Sequence, residues 1–245
     1  MAGETASRSY TSAAVGLLVR SWNVFHGRTY PETRSVRLEQ MIRLVTHDAP
    51  DVVALQEVPL WALRRLERWS GMTAVFAATK LPMLGRLAGP LHRLDARHIR
   101  SALTGQANAI LLRHALVVDE SPEIVELNPG DRREKRVCQF VRVDRDGEQL
   151  VVANLHATAD DVKAAEADLA RACDALIGAG PAVVCGDFNV PGRGLPGFSP
   201  PIPGIDQILV RGLELERGPE RWPEERRRSD GVLLSDHPPV EAVVE

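Results

Sequence analysis

The chain has 245 residues, 44% of them hydrophobic, which is enough apolar material for one sizeable core and argues against a second domain. Thirty Lys and Arg against 33 Asp and Glu give a formal charge of -3, which argues against a protein that coats nucleic acid through bulk basic charge. Three cysteines, Cys138, Cys173 and Cys185, are an odd number without metal-ligand spacing, so reduced thiols are expected rather than a disulfide framework.

Residues 1–14 are small and polar and lack the basic-then-apolar pattern of a signal peptide, so a flexible tail is expected there, ahead of one domain over 15–245. No run approaches the roughly 18 apolar residues that span a bilayer, and a cytoplasmic monomer is the expectation. Leu17 to Asn23 reads as a first strand. Ser35 is placed to cap a helix with Leu38, Met41, Ile42 and Val45 on one stripe, and Pro50 stops it. Asp51 to Leu55 is a second buried strand, followed by a helix from Trp61 to Trp69 and a strand from Thr73 to Ala77.

Thr79 to Gln106, punctuated by Pro82, Gly85, Gly89 and Pro90, reads as a long loop bearing Arg86, Arg93, Arg97 and Arg100. Strands are expected at Ala109–Leu112, Leu116–Leu127, Arg136–Val143 and Leu150–Leu155, with Asp146-Gly147 as the turn between the last two. Asp160-Asp161 caps a helix ending at Gly178; Val183–Cys185, Ile205–Val210 and Val240–Val244 complete the strands. Alternating strands and helices in each half, with adjacent strands between, point to two mixed sheets packed face to face with helices outside.

Five clusters interrupt this apolar frame: Trp22-Asn23, Leu55-Gln56-Glu57, Asn154-Leu155-His156, Gly186-Asp187-Phe188-Asn189 and Ser235-Asp236-His237. Each sets a carboxylate, amide or imidazole at the end of a short apolar run, where strands can carry them to one rim. In wording and order they resemble the endonuclease/exonuclease/phosphatase superfamily, from about Leu17 to Val244. The resemblance implies a four-layer α/β sandwich and a divalent-metal-dependent hydrolase of phosphoester bonds, using Mg²⁺ or Mn²⁺.

By that resemblance, Glu57, Asn23 and Asp236 surround the metal, and Asn23, Asn108 and Asn154 meet the substrate phosphate. Asp187 orients or deprotonates water, or holds a second metal, and Asn189 stabilises the transition state. His156 is a phosphate donor or leaving-group acid. His237 faces the phosphate with Asp206 behind it, an arrangement that favours the cationic imidazole.

Two departures bear on substrate. Phe25 stands where apurinic-site endonuclease relatives carry Asp, and Ala107 replaces a glycine of the family's segment before Asn108. With 4% aromatics and with Glu diluting the basic runs Arg132 to Arg136 and Arg226 to Arg228, a small phosphoester or lipid head group is favoured as substrate. A DNA or RNA nuclease, with the 79–106 loop as a phosphate clamp, is the alternative; a non-catalytic binding protein of the same fold is the third reading.

Overall fold

A computed structural model describes residues 16–83, 85–99, 101–118, 121–130, 134–145 and 147–245. The tail expected over 1–14, Arg100, Arg132, Arg133 and Asp146 lie outside those residues, as does the side chain of Arg86. Strand β1 (Leu17–Asn23) leads through a 3-10 turn at Phe25–Gly27 to the short β2 (Thr29–Tyr30), helix α1 (Leu38–Thr46) and β3 (Val52–Val58). A 3-10 stretch at Leu60–Arg65 continues into α2 (Leu66–Ser70), β4 (Thr73–Lys80), α3 (Ala88–Leu94), α4 (Ser101–Thr104) and β5 (Gln106–Leu112). The second half runs β6 (Val117–Val118), β7 (Glu123–Glu126), β8 (Val137–Arg145), β9 (Glu148–His156), α5 (Val162–Ala175) and β10 (Ala182–Asp187). It closes with β11 (Asp206–Arg211), β12 (Leu215–Arg221), β13 (Arg228–Ser229), β14 (Val232–Leu234) and β15 (Val240–Val244).

One sheet has the order β12-β15-β1-β3-β5-β4; the other has β11-β10-β9-β8-β6, with β7 also on β8. Alternate residues of both sheets, among them Val19, Val52, Ile110, Val152, Val183 and Ile208, form one inner apolar layer. The opposite face of the first sheet, through Val53, Leu55 and Leu111, packs on Met41, Ile42 and Leu66 of α1 and α2. That of the second, through Ala153, Val184 and Leu209, packs on Leu169 and Ala172 of α5. Four layers follow directly, as expected from sequence. At roughly 1.5 to 3 kcal/mol for each fully buried large apolar side chain, these three clusters hold the sheets at fixed spacing. Among the described residues no helix is long and apolar enough to cross a membrane.

Several local expectations are corrected. Helix α1 starts at Leu38 after Arg37, and no side chain caps it, so Ser35 has no such role. The Thr79–Gln106 segment is not a plain loop, since α3 and α4 lie in it. Pro90 is tolerated because it sits in the first turn of α3, where its missing N–H has no helical partner to lose. Gly89 there lets the helix approach the Trp61 side chain, which a Cβ would meet at 3.1 Å. The expected Leu116–Leu127 strand is divided into β6 and β7, with Pro122 between them. Helix α5 ends at Ala175 rather than at Gly178, and Asp161 alone caps it, accepting from Ala164 N at 3.0 Å. Strand β12 carries Gly218-Pro219, a pair that reads as a turn but is accommodated on a sheet edge with two register shifts.

The sheets are also joined by polar contacts between their inner faces. Asn154 donates to Leu55 O and Ala109 O, both at 2.9 Å, and accepts from Gln56 Nε2 at 2.8 Å. This happens where the β3–β5 register shifts after Leu55 and the ladder is locally disrupted. Asn154 is fully buried and committed to these bonds, so its expected role at the phosphate is corrected to that of a cross-link between sheets. Asn154→Ala strands a buried amide and two carbonyls, and is expected to cost about 2 to 4 kcal/mol of stability, read as a lower urea midpoint at unchanged m-value.

Candidate active site

Parallel pairing of β1 with β3 sets Asn23 beside Gln56, and parallel pairing of β9 with β10 sets His156 beside Asp187. Strand β11 runs antiparallel to β10 and begins at Asp206, opposite Asp187. The carboxyl ends of four strands from two sheets therefore share one rim with the start of β11. The loop after β14 is brought to the same rim by a small sheet in which Leu234 pairs with Thr29 of β2.

Unusual backbone bends the polar groups over this rim. Phe25, His26, Glu57, Asn189 and Ser235 all have positive φ, between 46° and 66°. Each such residue costs about 1 to 3 kcal/mol, and their gathering here indicates that the surrounding fold enforces the arrangement. Strict alternation would put Glu57 with Val53 and Leu55 under the helices. The bulge between Leu55 and Val58 turns it towards Asn23 instead. Gly186 permits the adjoining strands: its φ is 153°, and a Cβ would stand 2.1 Å from Leu155 O.

Asn23 Nδ2 donates to Glu57 Oε1 at 3.2 Å and to Asp187 Oδ2 at 3.1 Å, while its Oδ1 accepts from the Phe25 N–H at 3.0 Å. His26 Nε2 is 3.0 Å from Glu57 Oε2. His237 Nδ1 lies 2.9 Å from Asp206 Oδ1, and its Nε2 points to Asp187 Oδ2 at 3.9 Å. His156 Nε2 approaches the same Asp187 oxygen at 3.6 Å. The Asn189 N–H donates to Asp187 Oδ1, and its side-chain amide donates to Ala157 O. Ser235 Oγ donates to Asn23 O at 2.7 Å and accepts from His237 N, while Trp22 Nε1 donates to His237 O.

These contacts sort the charges. Burial, with Asp206 nearby, pushes the Asp187 carboxyl up to about 6. Burial opposes charge on His237, but the hydrogen bond and the negative charge of Asp206, reinforced by Asp187, outweigh it and raise the imidazole to about 10. Burial also disfavours a charged Glu57, yet its His26 contact holds the carboxyl well below the usual range. His156 falls to about 3 through burial and repulsion from Arg136. Of the two roles expected for it, phosphate donor or leaving-group acid, a neutral imidazole suits the hydrogen-bonding one.

Asn23, Glu57, Asp187, Asn189, His156, Asp206 and His237 therefore converge. Asp236 is exposed at the same rim, next to His237. Asn108, on β5, is fully buried, reaches Val137 O at 3.4 Å and shares no hydrogen bond with the ring. Asn23, expected at the metal shell or the phosphate, bridges two acids of the rim through its NH₂ group. Two contributors have no site role from sequence alone: His26, notable there only for the His26-Gly27 pair that is similar to phosphodiesterase and phosphatase branches, and Ser235, which is part of a motif but without a task.

A family model described as Endonuclease/Exonuclease/phosphatase family matches residues 21–237. The chain belongs to that family. Its fold is shared with an endonuclease/exonuclease/phosphatase from Beutenbergia cavernae DSM 12333, at 19% identity and a TM-score of 0.71 over 94% of this chain and 72% of that one. A mannosyl-6-phosphatase of Bacteroides thetaiotaomicron VPI-5482 is similar at 18% identity and 0.63, over 94% and 99% of the two chains. TDP2 from Caenorhabditis elegans is similar at 15% and 0.64, over 93% and 74%. No curated protein matches.

A divalent cation, as family members typically use, suits this donor set. Asp187, Asp206 and His237 each offer a ligand-type atom, all within 4.8 Å of one another. Of these, His237 is cationic and its Nδ1 is taken by Asp206, so a proton already occupies that corner. Glu57, held ionised, and the exposed Asp236 are hard oxygen donors that do not share the His237–Asp206 hydrogen bond, which is the chemistry Mg²⁺ or Mn²⁺ prefers.

The His237–Asp206 pair has a direct test in metal-free protein. The folded pKa lies above the unfolded value near 6.5, so the pair's stabilisation is complete below that pH and drains away as pH climbs through about 10. In Asp206→Asn the His237 ring is expected to titrate about 2 pH units or more lower, read from its Hε1 resonance.

Proposed function

We propose that this family member hydrolyses a phosphoester with a divalent cation, Mg²⁺ or Mn²⁺, and that its substrate is a small phosphodiester, a phosphorylated metabolite or a lipid head group. The observation that carries the reading is the ring itself, with Glu57 and Asp187 joined through Asn23 and a cationic His237 opposite. Glu57 and Asp236 would hold the cation, which, when bound, would offset phosphate charge and draw electron density from the phosphorus centre. Asp187, ionised at neutral pH, takes a proton from the attacking water. His237, fixed by Asp206, donates from Nε2 to a phosphate oxygen. The neutral His156 and the Asn189 amide line the same face and hold the developing charge by hydrogen bonds.

The preference for a small substrate over nucleic acid is supported by the charge pairing. Arg97, His98 and Arg34 all converge on Asp95, Lys80 and Arg136 share Glu134, and Arg226 and Arg228 meet Glu241 and Glu224. Cations already paired in this way are poor trackers of a polyanion. Phe25, where apurinic-site endonuclease relatives carry Asp, is covered by the Arg28 guanidinium 3.7 Å from its ring centre.

A metal-supplemented screen of bis-p-nitrophenyl phosphate, p-nitrophenyl phosphate, sphingomyelin, plasmid DNA and RNA tests this. Turnover of at least one small or lipid phosphoester faster than DNA and RNA is expected; faster nucleic-acid cleavage would promote the nuclease reading. Asp187→Asn is expected to lower kcat by about 10² to 10⁴-fold. The losses from Asp206→Asn and His237→Ala should be strongly non-additive, because the pair acts as a unit.

A further inference from the structure

Outside the ring, on the helix-covered side of the first sheet, a cavity of about 390 Å³ opens between the start of α1, the 3-10 stretch with α2, and α3. Its walls include Trp61, Trp69, Arg65, Arg68 and Arg93, with one acid, Glu39. None of these residues belongs to the catalytic ring. Glu39 is already engaged by Arg43 at 2.8 Å. Arg65, Arg68 and Arg93 have no carboxylate partner among the described residues, in contrast to the paired arginines elsewhere on the surface.

Three guanidiniums on one concave wall repel one another, and a protein of net charge -3 has acids enough to neutralise them. Two of the three are instead anchored on an indole: Arg65 and Arg93 lie 5.2 and 4.9 Å from the Trp61 ring centre. Trp61 is itself fixed, since its N–H donates to His92 Nδ1 at 3.1 Å and its ring meets Trp69 edge-on. The Trp69 N–H is buried and has no acceptor among the described residues. Apart from the second carboxylate oxygen of Glu39, whose Oε1 takes both Arg43 bonds, the free polar groups of the wall are donors set around aromatic surface. A site built this way takes an acceptor-rich anion with at least two negative charges, and its volume falls within the roughly 300 to 1,000 Å³ typical of small-molecule pockets.

We propose that this cavity is a second binding site, separate from the catalytic ring, for a small molecule bearing a phosphate or diphosphate group. The guanidiniums of Arg65, Arg68 and Arg93 grip the phosphate oxygens, the Trp69 N–H supplies a further donor, and Trp61 carries the planar or apolar remainder. The site does not depend on the proposed hydrolysis, and it is tested without turnover.

Calorimetric titration of the full chain in chelator, at fixed ionic strength, with inorganic phosphate, pyrophosphate, adenosine monophosphate and citrate separates the sources. One saturable site is expected for pyrophosphate or the nucleotide, tighter than for citrate. Arg65→Gln and Arg93→Gln should each weaken it about tenfold, the size of one lost charge-assisted contact. Arg65→Lys, which keeps the charge, should recover part of that loss, and Trp69→Phe should weaken binding while preserving the ring. His237→Ala should leave the affinity within about twofold. No saturable binding of any phosphate probe, affinity equal for citrate, indifference to all the arginine variants, or loss of binding in His237→Ala would each overturn the proposal. Arg93 is exposed, so its variant is read on folded protein whatever happens at Trp69.

Discussion

Everything at the rim depends on how two carboxylates from different sheets, one buried and one half-buried, are kept together. Glu57 comes from the first sheet and Asp187 from the second, and the Asn23 amide donates one hydrogen to each. Like charges in a poorly hydrated cleft repel strongly. A bridging amide, an imidazole on the far side of Glu57 and a cationic His237 beside Asp187 offset that repulsion without filling the space between them. The same amide oxygen holds the Phe25 N–H and so fixes the turn that delivers His26. One side chain thereby couples the spacing of the sheets, the left-handed turn after β1 and the charge state of the acids.

The two sheets can present this arrangement because their inner layer is mixed in character. Val, Ile and Leu set the separation over most of the interface. Close to the rim, Gln56 and Asn154 take over, so that the bulge needed to swing Glu57 outward does not leave bare carbonyls in the core. The cost of distorted backbone at Phe25, His26, Glu57, Asn189 and Ser235 is met by the packing beneath them, and these are five of the eight non-glycine residues with positive φ among those described.

Much of this was legible in the sequence, and the reasons are specific. Buried runs such as Val52 to Leu55 and Val183 to Cys185 announced the strands, and a polar residue at the end of each announced the rim. What could not be read was direction. Asn154 and His156 share a face by alternation, but only the distance between sheets decides that one is consumed by the core and the other reaches Asp187. The exit of Glu57 depends on a bulge that no residue type signals, and His26 acts through a turn of three consecutive positive-φ residues, of which only Gly27 is conventional. Segment 79–106 was misread because Pro90 and Gly89 look like breakers, although one occupies a first turn and the other grants α3 its approach to Trp61. The basic residues were visible as a list, yet their pairing was not: Asp95 takes up Arg97 of the segment that suggested a phosphate clamp, and Glu134 takes up Lys80 and Arg136, whereas Arg65, Arg68 and Arg93 stand apart around two indoles.

The proposed division of the rim into a cation side at Glu57 and Asp236 and a proton side at Asp206 and His237 is tested by the anomalous difference map of crystals soaked in Mn²⁺. The expected map has its strongest peak in contact with the Glu57 carboxylate, with the His237–Asp206 hydrogen bond intact. A sole peak ligated by Asp206 and His237, with none at Glu57, would contradict it.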